Sequence, residues 1–271
     1  MRGALKILVI AAVVGVLPDA AGFAMSPSPK PTIVLVHGAF AESASWNRVI
    51  DKLRRDGYKA VAVANPLRGV ANDGAAVASY LHSVPGPVVL VGHSYGGPVI
   101  TEAANDSPNV KALVYVAAFA PDTGESSTSL SSKFPGSTLS KTLNTVELQD
   151  GGQDLYIQPD MFREQFAADV PEKTASQMAF TQRPISKAAF AELTKRPSWK
   201  VLPSYSIFGS RDLCIPPAVM TFMAKRAHAR KTVILKGASH ALIVSKPNEV
   251  ATIIEEAARE SAADLAARAV K

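Results

Sequence analysis

Ser94 has the sequence surroundings of a catalytic nucleophile. It is the third residue of GHSYGG at positions 92–97, which follows the apolar run 88–91 and precedes a segment compatible with a helix. A G-x-S-x-G pattern between a strand and a helix forces a sharp turn that exposes the serine hydroxyl, and its glycines let the strand and the helix approach. Because a serine hydroxyl is a weak nucleophile near neutral pH, the chain must also supply a base and a group that orients the base.

His240 is the best candidate for the base among the five histidines. It ends the sequence GASH at positions 237–240, just beyond a strand-like run at 232–235. The carboxyl ends of parallel strands meet at one edge of a sheet, so this loop is expected to lie near Ser94. His37 instead precedes a glycine turn, and we expect it to organise that turn through backbone hydrogen bonds.

Asp212 is the preferred acid, because it follows the strand-like run 204–208 and therefore reaches the same edge. Two alternatives remain open, since Asp122 and Glu125 lie just after the run 112–117. A plain turn is also a typical use of a Pro-Asp pair such as the one that contains Asp122.

The tetrahedral intermediate of acyl transfer needs N–H donors for its oxyanion. The N–H of Tyr95, directly after the nucleophile, is one candidate, and the loop HGAF at positions 37–40 offers the other, for which Ala39 is preferred. The aromatic side chains of Phe40, the last residue of this loop, and of Trp46 are predicted to contact the substrate.

The rest of the chain predicts an α/β fold built on a doubly wound, mostly parallel sheet. Six short β-branched runs read as strands buried on both faces, at 32–36, 60–63, 88–91, 112–117, 204–208 and 232–235. Helix-length segments alternate with them, at 45–56, 73–83, 97–104, 217–226 and 247–267. We therefore assign residues 32–120 and 200–271 to one α/β core.

Residues 121–199 break this alternation. They contain scattered apolar residues in a serine-rich, helix-prone background and no convincing buried strand. A segment of this length is too long for a structureless loop in a compact domain. We predict a mostly helical cap insertion over the carboxyl ends of the strands, where it would shape the pocket.

The first 24 residues have the order of an export signal. Two basic residues, Arg2 and Lys6, precede an apolar stretch at 7–17, and small residues precede a candidate cleavage site after Ala24. The apolar stretch would span about 16 Å as a helix, roughly half of a bilayer core. We expect residues 1–24 to be cleaved, residues 25–31 to form a linker, and the mature protein to be periplasmic or secreted without stable membrane insertion. An uncleaved membrane anchor is the alternative.

Composition removes several other function classes. The 271 residues are 47% hydrophobic and carry a net charge of +6, which excludes disordered, collagen-like and coiled-coil chains. The 29 Lys and Arg residues are dispersed, so no nucleic-acid partner is predicted. Cys214 is the only cysteine, so an internal disulfide is impossible and no metal site is predicted.

These motifs resemble the α/β-hydrolase superfamily from Thr32 to the C-terminal helix. VLVHGA (34–39), the segment around Trp46, GHSYGG (92–97), AFAPD (118–122) and GASH (237–240) are similar to the branch that contains plant methyl esterases and hydroxynitrile lyases, with bacterial esterase relatives.

This resemblance implies roles for individual residues. The order Ser94, Asp212, His240 is that of the superfamily's catalytic triad. Ala39 and Tyr95 match its oxyanion hole. The stretch with Asp122 occurs in the branch without a catalytic role.

The function implied is hydrolysis of a small-molecule carboxylic ester, with small to medium apolar or aryl groups, through an acyl-enzyme and without a cofactor. Lyases of the branch carry a lysine after the catalytic histidine, where this chain has Ala241, so cyanohydrin cleavage is not expected. Lactonase, thioesterase or cofactor-free perhydrolase activity on the same triad remain alternatives, as does a non-catalytic small-molecule binding protein. The chain is expected to be a monomer or a homodimer.

Overall fold

Six parallel strands form the central sheet of the protein, whose computed structural model describes residues 30–269. Three further strands form a small antiparallel sheet. In chain order the strands are β1 (Thr32–Val36), β2 (Ala60–Val63), β3 (Val88–His93), β4 (Val110–Val116), β5 (Leu143–Glu147), β6 (Gln153–Ile157), β7 (Ile185–Ser186), β8 (Ser204–Gly209) and β9 (Lys231–Leu235).

Helices flank the central sheet, and each predicted helix of the core is present, with its ends at the predicted residues or within three residues of them. In chain order they are α1 (Asn47–Arg55), α2 (Val70–His82), α3 (Gly96–Ala103), α4 (Ser127–Ser131), α5 (Pro159–Phe166), α6 (Glu172–Thr181), α7 (Lys187–Ala191), α8 (Pro217–Arg226), α9 (Leu242–Ser245) and α10 (Pro247–Ala269).

The strand order of the central sheet is β2-β1-β3-β4-β8-β9. The chain moves from β1 outwards to β2 and then returns to place β3 on the other side of β1, so the direction of winding reverses between β1 and β3. Ligand sites of open parallel sheets lie beyond the carboxyl ends of the strands at such a reversal. The loops after β1 and β3 carry Ala39 and Ser94, so the reversal lies at the predicted site.

Burial differs between the middle and the edges of this sheet. Strands β3 and β8 are buried along their whole length, as the apolar runs predict. The edge strand β9 is largely exposed, with 52% of Ile234 accessible, and Val61 of the other edge strand, β2, is 38% exposed. The prediction that all six strands are buried on both faces is therefore wrong at both edges. An edge strand has a sheet neighbour on one side only, so more of its surface remains accessible.

The segment between β4 and β8 is the predicted insertion, and it contains three strands that were not predicted as well as helices. It contains the antiparallel sheet β5-β6-β7 together with four short helices, α4 to α7. Four of the five residues of β5 are exposed, and β7 has two residues, so neither has the continuous apolar pattern that marks a buried strand.

The predicted export signal at 1–24, and residues 25–29 of the predicted linker, lie outside the described residues. Between residues 30 and 269, none of the helices combines the length and hydrophobicity needed to cross a bilayer.

Candidate active site

Ser94 lies in a strained turn between β3 and α3. Its φ of 56° is in the left-handed region, which is uncommon for a residue with a side chain. The turn is held by hydrogen bonds from the Ser94 N–H to the Val116 carbonyl at 3.2 Å and from the Gly97 N–H to the Ser94 carbonyl at 3.0 Å. A Cβ at Gly92 would lie 2.5 Å from the carbonyl oxygen of Gly96, so the close approach of strand and helix requires glycine there.

The loop after β1 packs directly on this turn. A Cβ at Gly38 would lie 2.6 Å from the Cβ of Ser94 and 3.1 Å from the backbone nitrogen of Tyr95. In the part of the chain that the structure describes, the N–H groups of Ala39 and Tyr95 make no backbone hydrogen bond outside regular helices and strands. Both predicted oxyanion donors therefore belong to segments that meet beside Ser94.

His37 holds this loop through its ring and its backbone. Its Nδ1 donates to the Gly38 carbonyl at 2.9 Å, and its Nε2 accepts from the Asn65 N–H at 3.1 Å. The Asn65 side-chain amide also donates to the His37 carbonyl. Burial lowers the pKa of His37 to about 4, so the ring is neutral at pH 7 and the predicted organising hydrogen bonds are confirmed.

Asp212 and His240 form a buried pair. The Nδ1 of His240 donates to Asp212 Oδ2 at 2.7 Å, and both side chains are almost completely inaccessible. The other carboxylate oxygen accepts the N–H groups of Cys214 at 2.8 Å and Ile215 at 2.9 Å. The backbone thus fixes the carboxylate, and the carboxylate fixes the imidazole with Nε2 available for chemistry.

The two loops that carry this pair are also joined by their backbones. The Arg211 N–H donates to the Ala238 carbonyl at 3.0 Å, and the Ser210 N–H donates to the Leu235 carbonyl at 3.0 Å. Within residues 30–269, the structure has no hydrogen bond between Ser94 and His240. In ligand-free sites this contact is often long and tightens when substrate binds.

His93 supports His240 from the side of the turn. Its Nε2 donates to the His240 carbonyl at 3.1 Å, and the two ring centroids are 4.9 Å apart. Burial, with a smaller contribution from the neighbouring His240, lowers the pKa of His93 well below its ordinary value, so this ring is also neutral.

Residues of the insertion accept hydrogen bonds from both neighbours of His240, and the sequence did not predict these contacts. The Ala241 N–H donates to the Phe166 carbonyl at 2.9 Å, and the Phe166 ring contacts the His240 ring edge-on at 4.9 Å. The N–H and the hydroxyl of Ser239 both donate to the carboxylate of Asp169. Because Asp169 lies 70 residues before Ser239, no local pattern could have indicated the pairing.

The alternative acids lie elsewhere and have other partners. Asp122 pairs with Lys200 at 2.5 Å, and Glu125 accepts two hydrogen bonds from the guanidinium of Arg226, at 2.9 and 2.8 Å. Among the three candidate carboxylates, Asp212 is the one that the structure brings to His240.

A cavity of about 450 Å³ opens onto Ser94 and His240. Its lining includes the predicted substrate contact Phe40. Eight aromatic and aliphatic residues line it: Phe40, Phe119, Leu139, Leu143, Leu155, Phe166, Phe190 and Ile215. Several of these belong to the insertion, which therefore shapes the pocket.

Trp46 does not reach this cavity. Its side chain is fully buried, and its ring lies edge-on to His93 with centroids 6.4 Å apart. The predicted contact with substrate is therefore corrected, because the indole packs beneath the site and supports His93.

Asp212, His240 and Cys214 have possible metal-ligating atoms within 4.8 Å of one another. Their hydrogen bonds argue against such a use, since His240 Nδ1 is bonded to Asp212 and the Cys214 thiol donates to the Gln165 carbonyl at 3.4 Å. Burial and the carboxylate of Asp212 raise the pKa of Cys214 well above its ordinary value, which keeps it a thiol rather than a metal-binding thiolate.

Comparison with known proteins agrees with this architecture. Residues 33–253 match the family described as "Alpha/beta hydrolase family". Methylesterase 3 of Arabidopsis thaliana is 26% identical over 86% of this chain and 98% of its own length. The pyrethroid hydrolase of Sphingobium wenxiniae is 27% identical over 83% of this chain and 86% of its own length.

Among solved structures, polyneuridine aldehyde esterase superposes with a TM-score of 0.74 at 21% identity, over 84% of this chain and 99% of that chain. This likeness shows a shared fold, and the family match spans the sheet and the loops that carry Ser94, Asp212 and His240. The chain therefore belongs to the alpha/beta hydrolase family and is a hydrolase, similar to the plant methylesterases and to bacterial relatives.

Proposed function

We propose that this hydrolase is a serine carboxylesterase that cleaves small to medium esters with apolar or aryl groups. The observation that carries the proposal is the buried hydrogen bond of 2.7 Å between His240 and Asp212, with His240 and Ser94 lining one apolar cavity. The names of two similar proteins, a methylesterase and a pyrethroid hydrolase, also favour ester chemistry.

In this proposal Ser94 Oγ attacks the ester carbonyl and His240 Nε2 accepts its proton. Asp212 stabilises the resulting imidazolium, and the N–H groups of Ala39 and Tyr95 donate to the oxyanion. The intermediate collapses as His240 returns the proton to the leaving alcohol, which leaves an acyl-enzyme. Water then attacks this ester by the same route and releases the carboxylic acid.

The size and lining of the cavity support the substrate class. A volume of about 450 Å³ accommodates a molecule of small to medium size, and an apolar wall favours aliphatic or aryl groups. This chemistry requires no cofactor.

Hydrolysis of p-nitrophenyl esters from acetate to palmitate, with several lactones and aryl methyl esters, tests the proposal. The purified protein is compared with Ser94→Ala, which we expect to fold normally and to lose about 10³-fold or more in kcat/KM. A fluorophosphonate should label the wild type and not the variant. Cleavage confined to lactones would change the substrate class, whereas no cleavage and no labelling of Ser94 would favour a non-catalytic binding protein.

We also propose export to the periplasm or medium, on the residue pattern of 1–24 alone. Expression with its own N-terminus, followed by N-terminal sequencing of the extracytoplasmic protein, should give a start near Met25. Retention of residues 1–24 in a membrane fraction would instead indicate an anchor.

A further inference from the structure

Asp73 is a buried carboxylate to which the proposed reaction gives no role. It lies in the first turn of α2, and its side chain is completely inaccessible. The groups that donate to it are neutral: the N–H groups of Arg68 at 3.1 Å and Gly69 at 3.4 Å, the side-chain amide of Asn72 at 3.4 Å and the hydroxyl of Tyr95 at 3.0 Å. Burial of a carboxylate is costly, and hydrogen bonds from neutral donors offset only part of that cost.

The Tyr95 hydroxyl links this carboxylate to the turn that carries the nucleophile. Tyr95 directly follows Ser94, and its side chain is fully buried. Burial, with a smaller contribution from Asp73, raises the pKa of Tyr95 well above its ordinary value, so the phenol keeps the proton that it donates. The backbone N–H of this same residue is the proposed oxyanion donor. Tyr95 therefore carries that donor on its backbone while the far end of its side chain is held by Asp73.

Helix α2 is a firm support for this contact, because it packs closely on α3. A Cβ at Gly74 would lie 2.9 Å from the Cβ of Glu102, so the approach of the two helices requires glycine there. Helix α3 begins directly after Tyr95. Asp73, which precedes Gly74, is thus held at a fixed position relative to the turn.

We infer that Asp73 is a positioning residue for the oxyanion hole, which acts through the Tyr95 hydroxyl to fix the direction of the Tyr95 N–H. The inference rests on the proposed esterase function and adds to it a residue outside the lining of the cavity. Loss of a complete oxyanion donor costs about 10²- to 10³-fold in rate, so a donor that stays present but is less well aimed should cost about 10-fold.

Tyr95→Phe tests the inference, since it removes the hydroxyl and keeps the ring and the backbone N–H. Two quantities are measured: kcat and KM for p-nitrophenyl butyrate, and the inhibition constant of an aryl trifluoromethyl ketone. In the complex with this ketone, Ser94 Oγ bonds to the carbonyl carbon, His240 takes the serine proton, and the carbonyl oxygen becomes an oxyanion. We expect kcat to fall and the inhibition constant to rise by about 10-fold each, with KM changed less than about twofold.

Tyr115→Phe is the matched control. It removes the same atom from a second buried tyrosine, whose hydroxyl is hydrogen-bonded to the Thr101 hydroxyl at 2.8 Å, between β4 and α3. Both variants lose one buried hydrogen bond, so both should lower the Tm. Tyr115→Phe should nevertheless keep kcat and the inhibition constant within about twofold of the wild type, because its hydroxyl is not attached to an oxyanion donor.

Asp73→Asn tests the carboxylate itself. We expect a loss of about 3- to 10-fold in kcat, because one amide oxygen replaces two carboxylate oxygens as acceptors. If Asp73 acts through the Tyr95 hydroxyl, the double variant should lose no more than about twofold beyond Tyr95→Phe alone. Losses that multiply in the double variant would show that Asp73 acts by another route and would overturn the inference. Should Asp73→Asn not fold, the comparison of Tyr95→Phe with Tyr115→Phe decides alone.

The two tyrosine variants separate the remaining outcomes. A lower Tm for Tyr95→Phe with kcat and the inhibition constant within about twofold would show a purely structural hydrogen bond and overturns the inference. Equal losses of activity in Tyr95→Phe and Tyr115→Phe would show general loosening of the fold and also overturn it. Both results leave the esterase proposal intact. No cleavage by the wild type, with Ser94 unlabelled by fluorophosphonate, overturns both proposals.

Discussion

Asp122 and Asp212 both follow parallel strands of the central sheet, yet their carboxylates have different surroundings. Asp212 is 2% exposed and accepts three hydrogen bonds, from two backbone N–H groups and from His240. Asp122 is partly exposed and pairs with the long side chain of Lys200 and with the Thr123 N–H. A carboxylate held by the backbone keeps one orientation, whereas one held by an exposed lysine does not.

The order of the strands explains the difference. Strand β8, which leads to Asp212, lies next to β9, which leads to His240, whereas β4 is one strand further away. The backbone bond between Arg211 and Ala238 then fixes the two loops against each other. The position of a strand in the sheet thus decides which of two similar turns can orient the histidine.

Asp212→Asn should cause the largest loss of activity of the variants considered. The amide oxygen of the variant would take the place that accepts from Cys214 and Ile215, which turns the NH₂ group towards His240 Nδ1. That arrangement favours the tautomer with the proton on Nε2, which cannot accept the proton of Ser94. We expect kcat/KM for a p-nitrophenyl ester to fall about 10³- to 10⁴-fold with an unchanged near-UV CD spectrum. A loss below about 10-fold would show that Asp212 does not orient the base.

Much of this site could be predicted from the sequence because its residues follow apolar runs. The runs that form β3 and β8 are continuous and fully buried, so the strand-end rule leads directly to Ser94 and Asp212. The edge strand β9 has a weaker pattern but still places His240 in the following loop.

The missed features depend on contacts between distant segments. The hydrogen bonds from Ser239 to Asp169 join residues far apart in the chain. The antiparallel sheet of the insertion contains the exposed strand β5 and the two-residue strand β7, which lack the apolar pattern of a buried strand. Trp46 was wrongly predicted to contact the substrate. An aromatic residue near the site is equally suited to pack beneath it, as the indole does against His93.

The contrast between buried and exposed ionisable groups also predicts a response to acid. Burial lowers the pKa of His37 to about 4, whereas an unfolded histidine titrates near 6.5. Below pH 6.5 the unfolded chain therefore binds protons that folded His37 does not, so the free energy of unfolding falls until the pH reaches about 4. The loss is about 3 kcal/mol for His37, and His93 acts in the same direction.

Urea denaturation at several pH values from about 7 to about 4.5 would measure this loss. Equal stability across this range would mean that the buried histidines accept protons in the folded state.

Asp169 tests whether the insertion helps to orient the base. Asp169→Ala removes the carboxylate that accepts from the Ser239 N–H and hydroxyl, while the bonds to the Phe166 carbonyl from the Ser239 hydroxyl and the Ala241 N–H remain. We expect a loss of about 10-fold in kcat with KM changed less than about twofold, because His240 is displaced and the cavity is not. Asp169→Asn keeps an acceptor oxygen and should restore most of the activity. Equal losses in both variants would indicate that charge, rather than position, is what Asp169 contributes.

Asp122→Asn should have the smallest effect on stability and activity. Partial burial alone would raise the pKa of Asp122, but the hydrogen bonds from Lys200 and the Thr123 N–H outweigh it and lower the pKa. The carboxylate therefore stabilises the fold at neutral pH, and this contribution is lost as the pH falls through the lowered pKa. For an exposed pair this stabilisation amounts to about 0–1 kcal/mol, measured as the difference in urea denaturation between wild type and variant.

Because the pair of Asp122 and Lys200 lies away from His240, kcat/KM of Asp122→Asn should stay within about twofold of the wild type. A loss near that of Asp212→Asn would mean that Asp122 reaches the histidine when substrate is bound, and the turn after β4 would then be the acid-bearing one.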